Sequence, residues 1–149
     1  MIAHPPCTYL TNSGNRWLSL RCVTPEQAVE RWDKRAQAAV FFMQLMLAPV
    51  PRIAVENPIG YMSRAYRPPD QIINPYQFRG ESECKATGLW LKNLPPLKPT
   101  EITPEGERTH NGYRAIFNGK QFAWNDEETA KNRSKTPWGV AAAMAEQWG

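Results

Sequence analysis

The chain has 149 residues, 42% of them apolar, with 18 Lys and Arg against 14 Asp and Glu for a net charge of +4. That length supports one domain with a sizeable core, and the apolar share excludes an intrinsically disordered chain. The mild basic excess permits a nucleic-acid partner without demanding one.

Fourteen prolines, about twice the usual share, make long uninterrupted helices few. The longest apolar stretch, Ala36 to Val50, is broken by Gln37, Gln44 and Pro49 and is too short and too polar to cross a bilayer. The opening Met1-Ile2-Ala3-His4-Pro5-Pro6 has neither the basic nor the apolar region of a signal peptide. Cys7, Cys22 and Cys84 are odd in number and widely spaced, and only two histidines accompany them, which argues against a disulfide framework or a structural zinc site. The expected address is the cytoplasm.

In chain order, Met1 to His4 reads as the tail of a buried strand that Pro5-Pro6 stops, because proline cannot donate to a ladder. A polar loop from Cys7 to Val23 follows, anchored by Trp17-Leu18. Thr24 is a good helix N-cap, Pro25 suits the first helical position, and Gln27 stands where a capping-box partner would. Val29, Trp32, Ala36, Val40, Met43 and Leu47 recur at spacings of 3, 4, 4, 3 and 4, an apolar stripe expected to face the core. Pro49 and Pro51 end that helix. Arg52 to Glu56 reads as a short strand closed by Asn57-Pro58, so strand, helix and strand form a βαβ unit with parallel pairing.

A proline-punctuated connection then runs through Arg67-Pro68-Pro69 to Pro75. Ala86 to Leu91 is expected to be a further strand. Residues 98–135 read as a loop-rich insertion with a hairpin around Tyr113 to Phe122. Thr136 and Pro137 open a last helix with Val140, Ala141, Met144 and Trp148 on its buried face. The expected architecture is a single α/β domain over 1–149, a partial, mostly parallel sheet with flanking helices.

Ligands in open α/β sheets collect at the carboxyl ends of parallel strands. Here those ends deliver His4-Pro5-Pro6-Cys7 and Glu56-Asn57-Pro58. A thiol and a carboxylate on neighbouring strand ends suit nucleophilic addition to an electron-poor ring carbon, with an acid to protonate a ring nitrogen. The plainer uses are a small buried thiol for Cys7, an ion pair with Arg52 or Arg64 for Glu56, and hydrogen-bonded packing for His4. Arg64, Arg67, Arg79 and Lys85, with Lys92 and with Tyr61, Tyr66, Tyr76 and Trp90 interleaved, have the composition of a nucleic-acid-binding surface. Cys22 and Cys84 read as structural thiols.

Pro6-Cys7 resembles the Pro-Cys nucleophile motif of cytosine-C5 DNA methyltransferases, and Glu56-Asn57-Pro58 resembles their Glu-Asn-Val motif with Pro in place of Val. Thr136-Pro137-Trp138-Gly139-Val140-Ala141 resembles the motif that closes over the cofactor. The similarity extends to phage and prophage proteins of that family through His4 to Thr11, Glu56 to Ile59 and Lys85 to Pro95. It implies a Rossmann-like fold in which Cys7 attacks C6 of a flipped cytosine, Glu56 engages N3 and Asn57 braces the Cys7 loop. It also implies S-adenosylmethionine as methyl donor, contacted by Pro6 and Trp138.

The family's cofactor-binding strands precede the Pro-Cys motif, and no glycine-rich loop follows any strand here. The expectation is therefore a later half of a catalytic domain, inactive alone and completed by a second polypeptide. The alternative is a phage counter-defence protein that binds a host or defence protein through an exposed sheet edge. A homodimer that buries that edge is a further expected partner, and DNA another; a membrane is not.

Overall fold

Two consecutive prolines after Ala3 leave room for only a two-residue strand, β1 (Ile2–Ala3). The chain continues through a 3-10 stretch, Asn12–Leu18, into the long helix α1 (Pro25–Leu47). Thr24 caps α1 as its sequence predicts: its hydroxyl accepts from the Gln27 amide at 3.3 Å, and the Gln27 side chain accepts from the Thr24 amide at 3.1 Å. After α1 come β2 (Ile53–Asn57), the one-turn helix α2 (Met62–Ala65), β3 (Gln71–Ile73), β4 (Glu83–Cys84), β5 (Thr87–Lys92), β6 (Glu107–Arg108), β7 (Arg114–Phe117), β8 (Lys120–Ala123) and α3 (Trp138–Trp148). The computed structural model describes residues 1–81, 83–102, 107–108, 114–117, 120–123 and 135–149. Among them, no helix is long and apolar enough to cross a membrane.

Two compact units divide the chain: Met1–Ile72 with Thr87–Pro96, and Ile73–Ala86 with Leu97–Gly149. The first holds a four-stranded sheet in the order β1-β2-β5-β3. β1 and β2 pair in parallel, Ile2 beside Ala54 and Ala3 beside Val55, as the strand-helix-strand pattern requires. β5 then pairs antiparallel with β2, from Ile53 opposite Lys92 to Asn57 opposite Gly88. The expected mostly parallel sheet is therefore corrected to a mixed one. The connection from β2 to β5 is long, running through α2, β3, a 3-10 turn at Pro75–Gln77 and β4, but it holds no long helix to carry the chain back across the sheet as a parallel crossover usually does.

Leu10, Phe42, Met46, Ile53, Val55, Met62 and Trp90 form the core of this unit. Phe42 stands edge-on to the Trp90 ring at 5.2 Å. A second correction falls on α1. Its buried residues are Ala28, Arg35, Phe42 and Met46, whereas Val29, Trp32, Val40 and Leu47 of the expected core stripe are 68%, 50%, 57% and 72% exposed. From Ala38 to Leu47 the helix is apolar nearly all round, so spacing alone could not select the inward face.

In the second unit, β7 and β8 form the hairpin expected near Tyr113 to Phe122, with Arg114 opposite Ala123 and Phe117 opposite Lys120. Much of 98–135, Tyr113 included, lies outside the described residues. α3 buries Gly139, Val140, Ala143, Met144 and Trp148, while Ala141, expected inside, is exposed. Its ends are fixed: the Gly139 amide donates to Glu81 at 2.9 Å, and Gln147 exchanges two hydrogen bonds with the Lys98 backbone at 2.8 and 2.9 Å. A side chain at 139 would bring its Cβ to 2.4 Å from the Arg79 carbonyl, so this helix start needs glycine.

Candidate functional site

The parallel register sets the ends of β1 and β2 side by side. With Ala3 beside Val55, the next residues meet in pairs. His4 Nδ1 lies 3.3 Å from Glu56 Oε2, and Asn57 Nδ2 donates to the Pro5 carbonyl at 3.1 Å. Asn57 is 1% exposed, and its Oδ1 has no hydrogen-bond partner among the described residues. The opposite oxygen of Glu56, Oε1, accepts from the hydroxyl of Thr87, which begins the antiparallel strand β5. Glu56 is thus held from both flanking strands while its side chain keeps 24% exposure.

Cys7, a free and half-buried thiol, opens the loop that follows. Its carbonyl accepts from the Leu10 and Thr11 amides at 2.9 and 3.1 Å, which coils the loop tightly. Leu10 is fully buried and plugs the loop into the core. Two further clamps close on it. From α1, Arg35 donates through Nε to the Tyr9 carbonyl at 2.8 Å and through Nη2 to Asn15 Oδ1 at 2.7 Å, and Arg31 reaches the Thr8 carbonyl at 3.4 Å. From the chain after β2, the Tyr61 amide donates to the Leu10 carbonyl at 2.7 Å, and Thr11 bridges Gly60. Any side chain at Gly60 would place Cβ 2.2 Å from that same carbonyl.

Arg35 is 4% exposed and lies over the rings of Tyr61, at 4.9 Å, and Trp32, at 5.4 Å. Burial lowers its pKa, with Arg31 adding to the effect and Tyr61 opposing it. None of this was legible beforehand. An arginine in a helix reads as a solvated charge, and only the tertiary fold reveals the loop carbonyls it serves.

The other expected site residues are dispersed. Pro6 is exposed in the first unit, and Trp138 is 68% exposed in the second. Neither unit alone gathers both. Arg64 is exposed at the end of α2. Arg67 is committed to the fold: it pairs with Asp70 at 2.8 Å and donates to the Leu91 carbonyl at 3.2 Å. Arg79, in the second unit, lies 3.9 Å from Glu101, and Lys85 is half-buried there. Trp90 is fully buried with its Nε1 donating to the Arg67 carbonyl at 2.9 Å, so it is not available for base stacking.

No His, Cys, Asp and Glu cluster suited to a metal occurs among the described residues. An apolar groove of about 710 Å³, lined by Val40, Met43, Leu47, Tyr61, Ala65 and Tyr66 among others, includes none of His4, Cys7 and Glu56. Comparison of the chain with protein-family models, with curated proteins and with solved structures finds no match.

Proposed function

We propose that this chain carries the base-activating half of a cytosine-C5 methyltransferase-like reaction, on a partial Rossmann-like sheet. The observation that supports the reading is the parallel register that sets the Cys7 loop beside Glu56, with Asn57 tying the two together. A Cys7 thiolate adds to C6 of a cytosine lifted from its stack, forming the S–C6 bond. The C5=C6 π electrons shift towards C4 and N3, and N3 takes the proton of a neutral Glu56 carboxyl. The product is a neutral enamine, nucleophilic at C5, and a Glu56 carboxylate. Reversal returns the proton to Glu56 and expels the thiolate.

S-adenosylmethionine would supply the methyl group. Pro6 and Trp138 belong to different units and do not assemble a cradle for it within either one. Methyl transfer is assigned to an assembly with a second polypeptide, or a second copy of this chain, docked on the outer edge of β1. Among the described residues that strand has a neighbour on one side only, and Ile2 is exposed. DNA is the proposed partner substrate, reached in the first unit through Arg64, in the cytoplasm of a phage- or prophage-bearing cell.

The test needs no methyl donor. In deuterated buffer the enamine picks up deuterium at C5, so proton NMR of a cytosine-containing oligonucleotide follows the reaction. The wild-type protein exchanges H5; Cys7→Ser abolishes exchange; Glu56→Gln slows it by about 100-fold or more, the usual worth of a general acid. Absence of exchange in the wild type overturns the reading.

A second reading, a non-catalytic counter-defence protein, is favoured by the outer edge of β1, which has a neighbour on one side only among the described residues and carries the exposed Ile2. It is upheld if Cys7→Ser and Glu56→Gln leave binding to the defence protein intact while a charge on the β1 edge removes it.

A further inference from the structure

His4 has no part in the proposed proton transfer, yet its ring nitrogen lies within hydrogen-bond distance of the Glu56 carboxyl. Both oxygens of the Glu56 carboxyl are engaged: Thr87 donates its hydroxyl to Oε1, and His4 Nδ1 stands 3.3 Å from Oε2. The two partners reach Glu56 from opposite sides of β2, His4 from the residue that follows β1 and Thr87 from the start of β5, so together they fix the plane of the carboxyl as well as its position. A planar acid that must meet a planar ring nitrogen edge-on depends on that orientation.

Arg31 and Arg35 of α1 serve the Thr8 and Tyr9 carbonyls. His4 keeps 38% side-chain exposure, so it is not fixed there by burial in the core.

We infer that His4 is a positioning residue for Glu56, turning the carboxyl so that Oε2 faces the incoming ring nitrogen. Nδ1 holds Oε2 in the free protein and yields it when the ring arrives. The inference rests on the reading that Glu56 protonates a ring nitrogen. It assigns His4 a role that hydrogen-bonded packing alone would not give it.

The test uses three proteins. In His4→Leu the side chain keeps bulk but loses the nitrogen; in His4→Asn the amide takes the place of Nδ1, its oxygen accepting from a protonated Oε2 or its nitrogen donating to an ionised one. Proteins labelled with ¹³C at the glutamate carboxyl report Glu56 directly, the signal assigned by its loss in Glu56→Gln. The expected result is a displaced Glu56 resonance in His4→Leu and a near-native one in His4→Asn. C5 exchange should fall at least tenfold in turnover number with KM for the oligonucleotide little changed in His4→Leu, and recover most of the loss in His4→Asn.

An unmoved Glu56 resonance in His4→Leu overturns the positioning role whatever the reaction does. So does a moved resonance with undiminished exchange. A moved resonance together with no exchange in the wild type overturns base activation alone and leaves His4 as the residue that orients Glu56. Circular dichroism and thermal unfolding of each variant separate misfolding from these outcomes. If His4→Leu does not fold, the same readouts on His4→Gln, whose longer side chain displaces the nitrogen, decide the point.

Discussion

A buried guanidinium is one of the anchors of the loop that carries the proposed nucleophile. Arg35 joins α1 to the Tyr9 carbonyl and to Asn15, and it has little access to water. Truncating it to Met keeps much of the volume but leaves a carbonyl and an amide oxygen without their donor, a loss of about 2–4 kcal/mol. Urea unfolding should read that loss directly. Arg35→Lys should recover less than half of it, since an ammonium cannot present the planar fork that spans both acceptors. Glu56, Asn57 and Cys7 stand out in the sequence because their residue types and their place after short strands already speak of chemistry. Arg35 and Thr87 do not, and His4 reads in the sequence as a packing residue. An arginine at mid-helix and a threonine at a strand start are ordinary residues until the fold brings their targets to them.

At the scale of elements, α1 shows what periodicity conveys and what it leaves open. Its start, at Thr24-Pro25, and its end, before Pro49, follow from local chemistry that needs no tertiary information. Its inward face does not, because two apolar stripes share the helix and the one through Val29, Trp32, Val40 and Leu47 turned outwards. The two faces should answer very differently to substitution. Phe42→Ala opens a hole beside Trp90 and should cost about 3–5 kcal/mol, while Val29→Gln should stay within about 0.5 kcal/mol; paired denaturation curves compare them.

The exposed polar face of α1 carries its own pH signature. The backbone amide of Glu26 itself and then the Thr24 hydroxyl lower the pKa of Glu26, and the Lys34 ammonium lowers that of Glu30 by hydrogen bonding and charge. Carboxyls depressed in the folded state stabilise it fully above their ordinary value of about 4.3, and the support fades as the pH falls through the lowered values. Helicity followed by circular dichroism during acid titration should therefore decline less steeply in the Glu26→Gln/Glu30→Gln double variant than in the wild type.

For the whole molecule, the sequence discloses the strand-helix-strand beginning and the closing helix but not the antiparallel return of β5. The residues 57–86 contain no helical crossover pattern, yet nothing in their composition states which edge of β2 the next strand will take. That return matters, since it brings Thr87 to Glu56. The interlock between Leu10 and Gly60-Tyr61 has a consequence of another kind. The loop bearing Cys7 lacks regular secondary structure, but its Leu10 and Thr11 amides donate to the Cys7 carbonyl and the Tyr61 amide donates to the Leu10 carbonyl, around a fully buried leucine. By amide hydrogen–deuterium exchange, the Leu10, Thr11 and Tyr61 N–H groups should open as one cooperative unit at the pace of the central strands, whereas the ladder end at Ile2 frays quickly. Mobility at the centre of this protein would then belong to an arriving ligand's surroundings, and the loop itself would behave as part of the scaffold.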